Sequence, residues 1–386
     1  MTSLLTPLTV RGLTVPNRLV MSPMTRQHSP NGVPGADVAE YYRKRAAGGT
    51  GLIITEGVAI DHPSAVDSPA VPRLHGDEAL AGWRAVVDTV HAEGGLIIPQ
   101  LWHVGPLWGA MSEVDPAIEP MRPSGRWGTP GRTGYSAEYV DRSTPITHPM
   151  TDDDIDAVIA GYATSARNAA ELGFDGIAIH GGHGYLLDAF MWADTNRRDD
   201  RWGGDLARRA AFPAAVVAAI RAEIGDDLPI IYRFSQHKQQ DYTARIAENP
   251  DELGVLLGAL ADAGVDVFDA SIRYFTAPAF AGSDLSLAGW AKKLTGKAAM
   301  AVGSVGMPAG TMPTALATVA RTSADAAAAA VPDHSIVGAA ECVASGEFDL
   351  VAIGRLHLAN PDLAARIRDG VDPVVFDRKR HEFVLH

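Results

Sequence analysis

Eight short segments rich in apolar and β-branched residues recur along the chain, with helix-like segments between them. They are RLVMSPM (18–24), GLIITEG (51–57), GLIIPQLWH (95–103), FDGIAIH (174–180), PIIYRFS (229–235), VDVFDAS (265–271), AAMAVGS (298–304) and FDLVAIG (348–354). Repeated strand–helix units of this kind build a parallel sheet. Because the segments are almost continuously apolar, we expect both faces of the sheet to be buried, as in an α/β fold of the (β/α)8 TIM-barrel type. An open doubly wound sheet is the alternative.

Four helices can be placed between these strands. They cover residues 77–92, 151–172, 205–224 and 249–263. The second begins at Thr151, which is followed by three aspartates that cap and favour a helix N-terminus, and Gly173 ends it. Pro213 lies inside the third, and we expect it to kink that helix or to move its start.

Two segments exceed what a minimal barrel needs. Residues 104–150, after the third strand, are too long for an ordinary loop and are predicted to form a small hairpin subdomain or a lid. Residues 307–337, after the seventh strand, contain an alanine-rich insertion that has little to bury. Residues 1–386 are predicted to form a single domain that includes both excursions.

Composition argues against several kinds of partner and site. The chain has 46 acidic and 33 basic residues, a net charge of −13, and its basic residues are not clustered, so nucleic acid and anionic membranes are not expected partners. Neither a signal-like start nor an apolar run long enough to span a bilayer is present in the sequence, so we expect a soluble, cytoplasmic protein. The single cysteine, Cys342, excludes an internal disulfide and any cysteine-ligated cluster or zinc site. Monomer and homo-oligomer both remain open.

Polar side chains gather where the predicted strands end. They are Thr25, Glu56, Gln100, Trp102, His103, His180, His183, Tyr185, Arg233, Ser304 and Arg355. In TIM barrels the carboxyl ends of the strands carry the chemistry. We therefore expect one functional site at this end of the barrel, with a small molecule as its substrate.

These strand ends resemble those of the Old Yellow Enzyme family of flavin ene-reductases. The segments that carry the resemblance include TPLTVRGLTVPNRLVMSPMTR (6–26), QLWH (100–103), HGGHGYLLD (180–188), RFS (233–235) and VAIGR (351–355). The resemblance implies an FMN-binding barrel that takes a hydride from NAD(P)H. It further implies that, in a ping-pong cycle, the enzyme reduces the activated C=C bond of an α,β-unsaturated carbonyl or a nitroalkene. Trp202 stands where the family's R-x-D-x-Y-G-G segment has Tyr, a departure that we expect to affect packing only.

Carried over position by position, the resemblance implies a flavin-ring site and a phosphate site. The ring residues are Pro23, Met24, Thr25, Gly57, Gln100 and Arg233, and the phosphate residues are Gly303, Ser304, Gly354 and Arg355. The Gln100 amide offers both a donor and an acceptor to a flavin edge, and Arg233 supplies positive charge where negative charge gathers on reduction. Arg355 can bind a phosphate in a bidentate way beside backbone N–H groups. Each glycine turn, taken alone, is equally typical of an ordinary turn after a strand.

The same resemblance implies a catalytic set of His180, His183 and Tyr185. The two histidines would hydrogen-bond the oxygen of an enone or nitro group and draw electron density from the β-carbon. Tyr185 matches the proton donor for the α-carbon, because a phenol stays protonated at neutral pH yet can protonate a strongly basic carbanion. Taken alone, the histidines are more typical of ordinary strand-end residues or of a metal pair, and Tyr185 could simply pack under the lid.

Three aromatic residues are predicted to shape the substrate pocket. Trp102 resembles a pocket residue of the family, whereas Tyr274 and Phe275 are proposed only from their place in the loop after the sixth strand.

Two other functions remain open from the residues alone. A metal-dependent barrel hydrolase would use His180 and His183 with further ligands, of which His103 and Asp269 are the best available. A non-catalytic flavin-binding protein would hold FMN without oxidising NAD(P)H. Related reductases that contain an iron–sulfur cluster are excluded by the single cysteine.

Overall fold

An antiparallel hairpin opens the fold in a computed structural model that describes residues 1–111, 115, 117–307 and 333–385. Its strands are β1 (Leu8–Val10) and β2 (Leu13–Val15). They are joined by a two-residue turn in which Arg11 has a φ of 50°. The apolar side chains of the hairpin pack against the inward-facing residues at the amino ends of the barrel strands. The hairpin therefore closes the end of the barrel that lies opposite to the predicted site.

Eight parallel strands form a closed barrel around this core. They are β3 (Leu19–Met21), β4 (Leu52–Ala59), β5 (Ile97–Trp102), β6 (Ile177–His180), β7 (Ile230–Ser235), β8 (Val267–Ser271), β9 (Ala298–Val302) and β10 (Leu350–Ile353). Each strand pairs with the next along the chain, and β10 pairs with β3 to complete the ring. All eight predicted strands are confirmed, and the open doubly wound sheet is wrong.

Helices surround the barrel. They are α1 (Ala36–Ala47), α2 (Asp77–Ala92), α3 (Ala137–Ser143), α4 (Asp152–Glu171), α5 (Leu186–Met191), α6 (Leu206–Ile224), α7 (Pro250–Ala263), α8 (Leu287–Thr295), α9 (Ile336–Ser345), α10 (Arg355–Ala359), α11 (Leu363–Asp369) and α12 (Arg378–His381). Short 3₁₀ helices lie at Thr2–Leu5, Pro30–Gly32 and Gly105–Leu107. Thr151 and Asp154 form a reciprocal capping box at the start of α4, as the acidic first turn predicted. Helix α6 begins directly after its cap Asp205 and continues through Pro213, so the expected shift of its start is wrong.

The segment between β5 and α4 lies against the site. Its described residues contain a 3₁₀ turn and α3 but no strand, so they show no β-hairpin, and the alternative of a lid stays a prediction. Leu107, Trp127 and Tyr139 form a small apolar cluster that also contacts Tyr185. In the second predicted excursion, 307–337, residues 308–332 lie outside the described residues, and α9 follows them.

None of the helices in the described ranges is both long enough and apolar enough to cross a membrane.

Candidate active site

A cavity of about 470 Å³ lies at the carboxyl end of the barrel, where the sequence predicted the site. Five predicted residues line it: Met24, Thr25, Trp102, Tyr185 and Arg355. Its other lining residues, none of them predicted, are Arg26, Gln27, Val104, Leu107, Ala110, Met111, Tyr135, Gln239, Leu358, Glu382 and Phe383. The cavity wall is thus built by the strand ends, by the segment after β5, by the loop after β7 and by the C-terminal residues.

The predicted catalytic side chains form one aromatic cluster beside this cavity. The ring centroid of Tyr185 is 5.0 Å from that of Trp102 and 4.7 Å from that of His180. The ring centroid of His183 is 5.1 Å from that of His180. The two histidines are not among the residues that line the cavity, and the His180 ring packs against the cavity residues Trp102 and Tyr185. A ligand reaching His180 would therefore also contact Trp102 or Tyr185.

Hydrogen bonds within the described part of the chain leave one ring nitrogen of each histidine available. The Gly182 N–H donates to His180 Nδ1 over 3.5 Å, which leaves His180 Nε2 for a ligand. His183 Nε2 lies 2.7 Å from Ser271 Oγ, which leaves Nδ1. Burial is the main cause that lowers the pKa of both histidines well below the ordinary value, so both are neutral at pH 7. A neutral imidazole still donates one N–H, and hence the pair can act on a ligand oxygen without carrying charge.

A buried ion pair holds the loop that carries these residues. The Gly184 N–H donates to Asp188 Oδ2 over 2.6 Å, and Lys238 Nζ lies 2.8 Å from the other oxygen of that carboxylate. Both side chains of the pair are fully buried. His183, beside Gly184, has a φ of 64°, which non-glycine residues rarely adopt. The buried Lys238 therefore fixes the loop after β6 through Asp188, and no sequence motif had indicated this lysine.

The phenol of Tyr185 has a specific partner. Gln239 Nε2 donates to Tyr185 Oη over 2.8 Å, and Tyr135 Oη donates to Gln239 Oε1 over 2.9 Å. Burial raises the pKa of Tyr185 above its ordinary value, and the hydrogen bond from Gln239 opposes that rise. Tyr185 is therefore protonated at neutral pH and uses its oxygen, rather than its proton, in this contact.

The predicted flavin-ring residues include two buried groups with unused hydrogen-bonding capacity. Gln100 is 2% exposed, and its Nε2 has no hydrogen-bond partner among the described residues. Arg233 donates from Nε to Asp269 Oδ2 over 2.6 Å and from Nη2 to Ser22 Oγ over 3.1 Å, which leaves Nη1. The positive charge of Arg233 is thus paired with the carboxylate of Asp269, and its predicted place at the flavin ring stays a prediction. A donor such as the Gln100 amide is costly to bury without a partner, and an edge of FMN would supply one.

Glu56 fixes the loop that follows β3. Its Oε2 accepts the backbone N–H groups of Arg26 over 2.7 Å and Gln27 over 3.0 Å. Thr25, which lines the cavity, directly precedes these two residues. Burial raises the pKa of Glu56 to about 7, despite the two backbone donors that act in the opposite direction. Glu56 is therefore a buried carboxyl that titrates near neutrality next to the predicted flavin site.

The predicted phosphate residues lie at the ends of two neighbouring strands. Gly303 and Ser304 follow β9, and Gly354 and Arg355 follow β10, which pairs with it. Arg355 Nη2 lies 3.4 Å from Ser304 Oγ. Ser304 has a φ of 54°, so its peptide groups take an orientation that is uncommon outside glycine. The structure thus brings Ser304 and Arg355 together at the ends of these strands, and phosphate binding by the four residues stays a prediction.

Three predicted residues lie in surroundings that change their expected roles. Phe275 is 1% exposed, packs in the core against Phe348 and is not among the residues that line the cavity, so the structure does not support its predicted place in the pocket. Tyr274 does not line the cavity, and its ring lies 5.3 Å from that of His334. A Cβ atom on Gly57 would collide with the ring of Trp102. The side of Gly57 where a side chain would stand therefore faces that indole. Pro23, the remaining ring prediction, precedes the two cavity residues Met24 and Thr25.

The arrangement does not favour a metal site. Among the described residues, no group of three or more His, Cys, Asp or Glu side chains is placed to hold a metal ion. His103 instead lies 3.3 Å from His62 and 3.4 Å from Ser64 through Nε2, and Asp269 is paired with Arg233. The two extra ligands that a hydrolase would need are therefore engaged elsewhere.

Comparison with known proteins points to one family. The profile of the NADH:flavin oxidoreductase / NADH oxidase family matches residues 3–373. The chain is 32% identical to 12-oxophytodienoate reductase 2 of Arabidopsis thaliana over 95% of its own length and 88% of that protein's length. It is 31% identical to 12-oxophytodienoate reductase 7 of Oryza sativa subsp. japonica, over 91% and 84% of the two chains.

Solved structures of two other proteins have the same fold as this chain. The structure of morphinone reductase in complex with tetrahydroNAD superposes with a TM-score of 0.74 at 28% identity, over 97% of this chain and 93% of that one. The Old Yellow Enzyme homologue from Zymomonas mobilis superposes with a TM-score of 0.76 over 96% of this chain and 94% of that one; at 24% identity, this likeness concerns the fold alone.

Proposed function

The chain belongs to the NADH:flavin oxidoreductase / NADH oxidase family, which is the Old Yellow Enzyme family, and we propose that this FMN-dependent oxidoreductase reduces activated C=C bonds. The substrates we propose are α,β-unsaturated carbonyl compounds and nitroalkenes. The observation that carries the proposal is the contact between Tyr185, on the cavity wall, and His180, at 4.7 Å between ring centroids. In this proposal, Tyr185 as the proton donor would lie beside His180 as a donor to the substrate oxygen.

The residues of the site suit FMN. Gln100 Nε2 and Arg233 Nη1 would bind the edge of the ring, and the group formed by Ser304 and Arg355 would bind the phosphate. The chemistry that FMN supplies when bound is transfer of a hydride from a nicotinamide to the second substrate.

His180 and His183 would bind the oxygen of the enone or nitro group. Two N–H donors on one oxygen withdraw electron density from the β-carbon and stabilise the enolate or nitronate that forms there. Because burial keeps both imidazoles neutral, they would stabilise developing negative charge by hydrogen bonding and not by a full positive charge. Their hydrogen bonds to Gly182 and Ser271 set which ring nitrogen is left to donate.

Tyr185 would protonate the α-carbon. Its proton is not used in the contact with Gln239, where the phenol oxygen is the acceptor. Trp102, packed edge to face on the Tyr185 ring at 5.0 Å, restricts the space in which the substrate's double bond can lie. The segment 104–150 would act as the lid that limits access of water to this proton.

A spectroscopic titration tests the proposal. The purified protein should be yellow, and NADPH or NADH added without air should bleach the flavin band. Cyclohexenone or a nitroalkene added afterwards should restore that band in one turnover. Bleaching without recovery by either acceptor would contradict ene reduction, and absence of bleaching by both nucleotides would support a non-catalytic flavin-binding protein.

A further inference from the structure

The loop after β7 brings a glutamine to the predicted acid. Gln239 lines the cavity, and its side-chain amide lies between two phenols, with Nε2 on Tyr185 and Oε1 on Tyr135. No motif marked this residue.

The backbone of Gln239 is fixed on both sides. Its N–H donates to the carbonyl of His183 over 3.1 Å, and its own carbonyl accepts from Thr133 Oγ1 over 2.6 Å. Thr133 Oγ1 in turn accepts the N–H of Tyr135 over 3.2 Å. Gln239 thus joins the catalytic loop after β6 to the segment after β5. These backbone hydrogen bonds hold its side-chain amide in place next to Tyr185.

The direction of the hydrogen bond has a chemical consequence. A phenol that gives its proton to carbon becomes a phenolate, and burial disfavours that anion. The Gln239 N–H group points at the oxygen on which the charge develops, so its hydrogen bond strengthens as the proton leaves. Tyr135, by donating to Oε1, keeps the amide turned so that nitrogen faces Tyr185.

We propose that Gln239 is a positioning residue for proton transfer, which stabilises the phenolate form of Tyr185 and is itself oriented by Tyr135. The inference rests on the proposed function, in which Tyr185 is the acid. It assigns to the loop after β7 a part in the second half-reaction only.

The test uses two acceptors that differ in their need for a proton. An enone must be protonated on carbon, whereas a nitroalkene yields a nitronate that is stable enough to leave unprotonated. The variants are Gln239→Met, which keeps the length of the side chain without a donor, and Gln239→Glu, which keeps an acceptor for Tyr135. Tyr139→Phe is the control, because this phenol lies in the same apolar cluster and contacts the Trp108 carbonyl instead of Gln239.

In both Gln239 variants, oxidation of the reduced flavin by cyclohexenone should slow roughly 10- to 100-fold. Reduction by NADPH and oxidation by a nitroalkene should each stay within about twofold of the wild type. The solvent deuterium isotope effect on the enone step should increase, because proton transfer becomes more rate-limiting. Tyr135→Phe should show the same selectivity with a smaller effect, and Tyr139→Phe should behave as the wild type.

Equal slowing of the enone and nitroalkene reactions would mean that Gln239 is only structural, and an unchanged enone rate would also overturn the inference. Failure of the proposed function looks different. In that case the wild type would reduce neither acceptor, or Tyr185→Phe would retain the full enone rate.

Discussion

Arg233 and Asp269 are register partners on neighbouring strands β7 and β8, and their side chains form a buried ion pair with 2.6 Å between Nε and Oδ2. Asp269 is 1% exposed, and burial raises the pKa of its carboxyl while Arg233 lowers it. The arginine that we place at the flavin ring therefore also compensates a carboxylate beneath the site.

Arg233→Leu should destabilise the protein by about 3–5 kcal/mol, because it leaves Asp269 buried without its counter-charge. The double variant Arg233→Leu/Asp269→Leu should recover most of that loss, since neither charge then remains. FMN should bind weakly to both. Urea unfolding of the FMN-stripped proteins and titration with FMN, followed by quenching of flavin fluorescence, measure the two effects. A double variant as unstable as the single one, or full FMN affinity in either, would contradict this account.

Glu56 should make the stability of the protein depend on pH. Its pKa rises from 4.5 to about 7 on folding, so between these values the folded state holds a proton that the unfolded state has lost. The free energy of unfolding that Glu56 contributes therefore falls as pH rises through this window, by roughly 2–3 kcal/mol between pH 5 and 8. Glu56→Gln, which keeps an acceptor for the Arg26 and Gln27 N–H groups, should lack this component. Urea unfolding of both proteins at pH 5 and pH 8 gives the difference, and a difference that is independent of pH would refute the assignment.

Replacing His180 and His183 together by Ala should slow oxidation of the reduced flavin by cyclohexenone by several orders of magnitude, at roughly 10²–10³ per donor removed. FMN should stay bound, because neither histidine is assigned to the ring. In the wild type this rate should not change as pH falls from 8 to 6 through histidine titration, because the pKa of each imidazole is well below 6.5. Stopped-flow absorbance of the flavin at each pH is the measurement. A loss of rate with an apparent pKa near 6.5 would indicate that a charged histidine interferes.

Tyr185→Phe should separate the two half-reactions. Reduction of the flavin by NADPH requires no proton from this residue and should be nearly unchanged, whereas enone reduction should fall sharply because the carbanion lacks its acid. A nitroalkene should still be consumed. Single-turnover kinetics with each acceptor measures these rates. If the variant slowed NADPH oxidation as much as enone reduction, Tyr185 would not be the acid.

The sequence predicted the barrel well because the strand signal is local and repeated eight times. It also predicted which strand ends converge, since parallel strands present their carboxyl ends on one side. The hairpin before β3 was not predicted, although its sequence pattern is clear. Two LTV segments are separated only by Arg11 and Gly12.

Contacts between distant segments could not be predicted in the same way. Gln239 meets Tyr185 because the loops after the neighbouring strands β6 and β7 contact each other, and no residue spacing encodes that contact. Phe275 was placed in the pocket by its position after a strand, whereas the direction of its side chain is set by packing against Phe348. The Arg233–Asp269 pair was accessible in principle, because both residues occupy matching positions near the ends of consecutive strands.

The pairing of β3 with β10 joins nearly the two extremes of the described chain, with Leu19 opposite Val351. During synthesis on the ribosome, the barrel therefore cannot close until β10 has been made and can pair with β3. The interior that the amino-terminal hairpin covers is also incomplete until Leu350 and Ala352 have been added. Contacts so distant along the chain are slow to form, and unpaired strand edges invite association between nascent chains. A polypeptide released before residue 350 would carry two open edges and an uncovered core rather than a smaller version of the same fold.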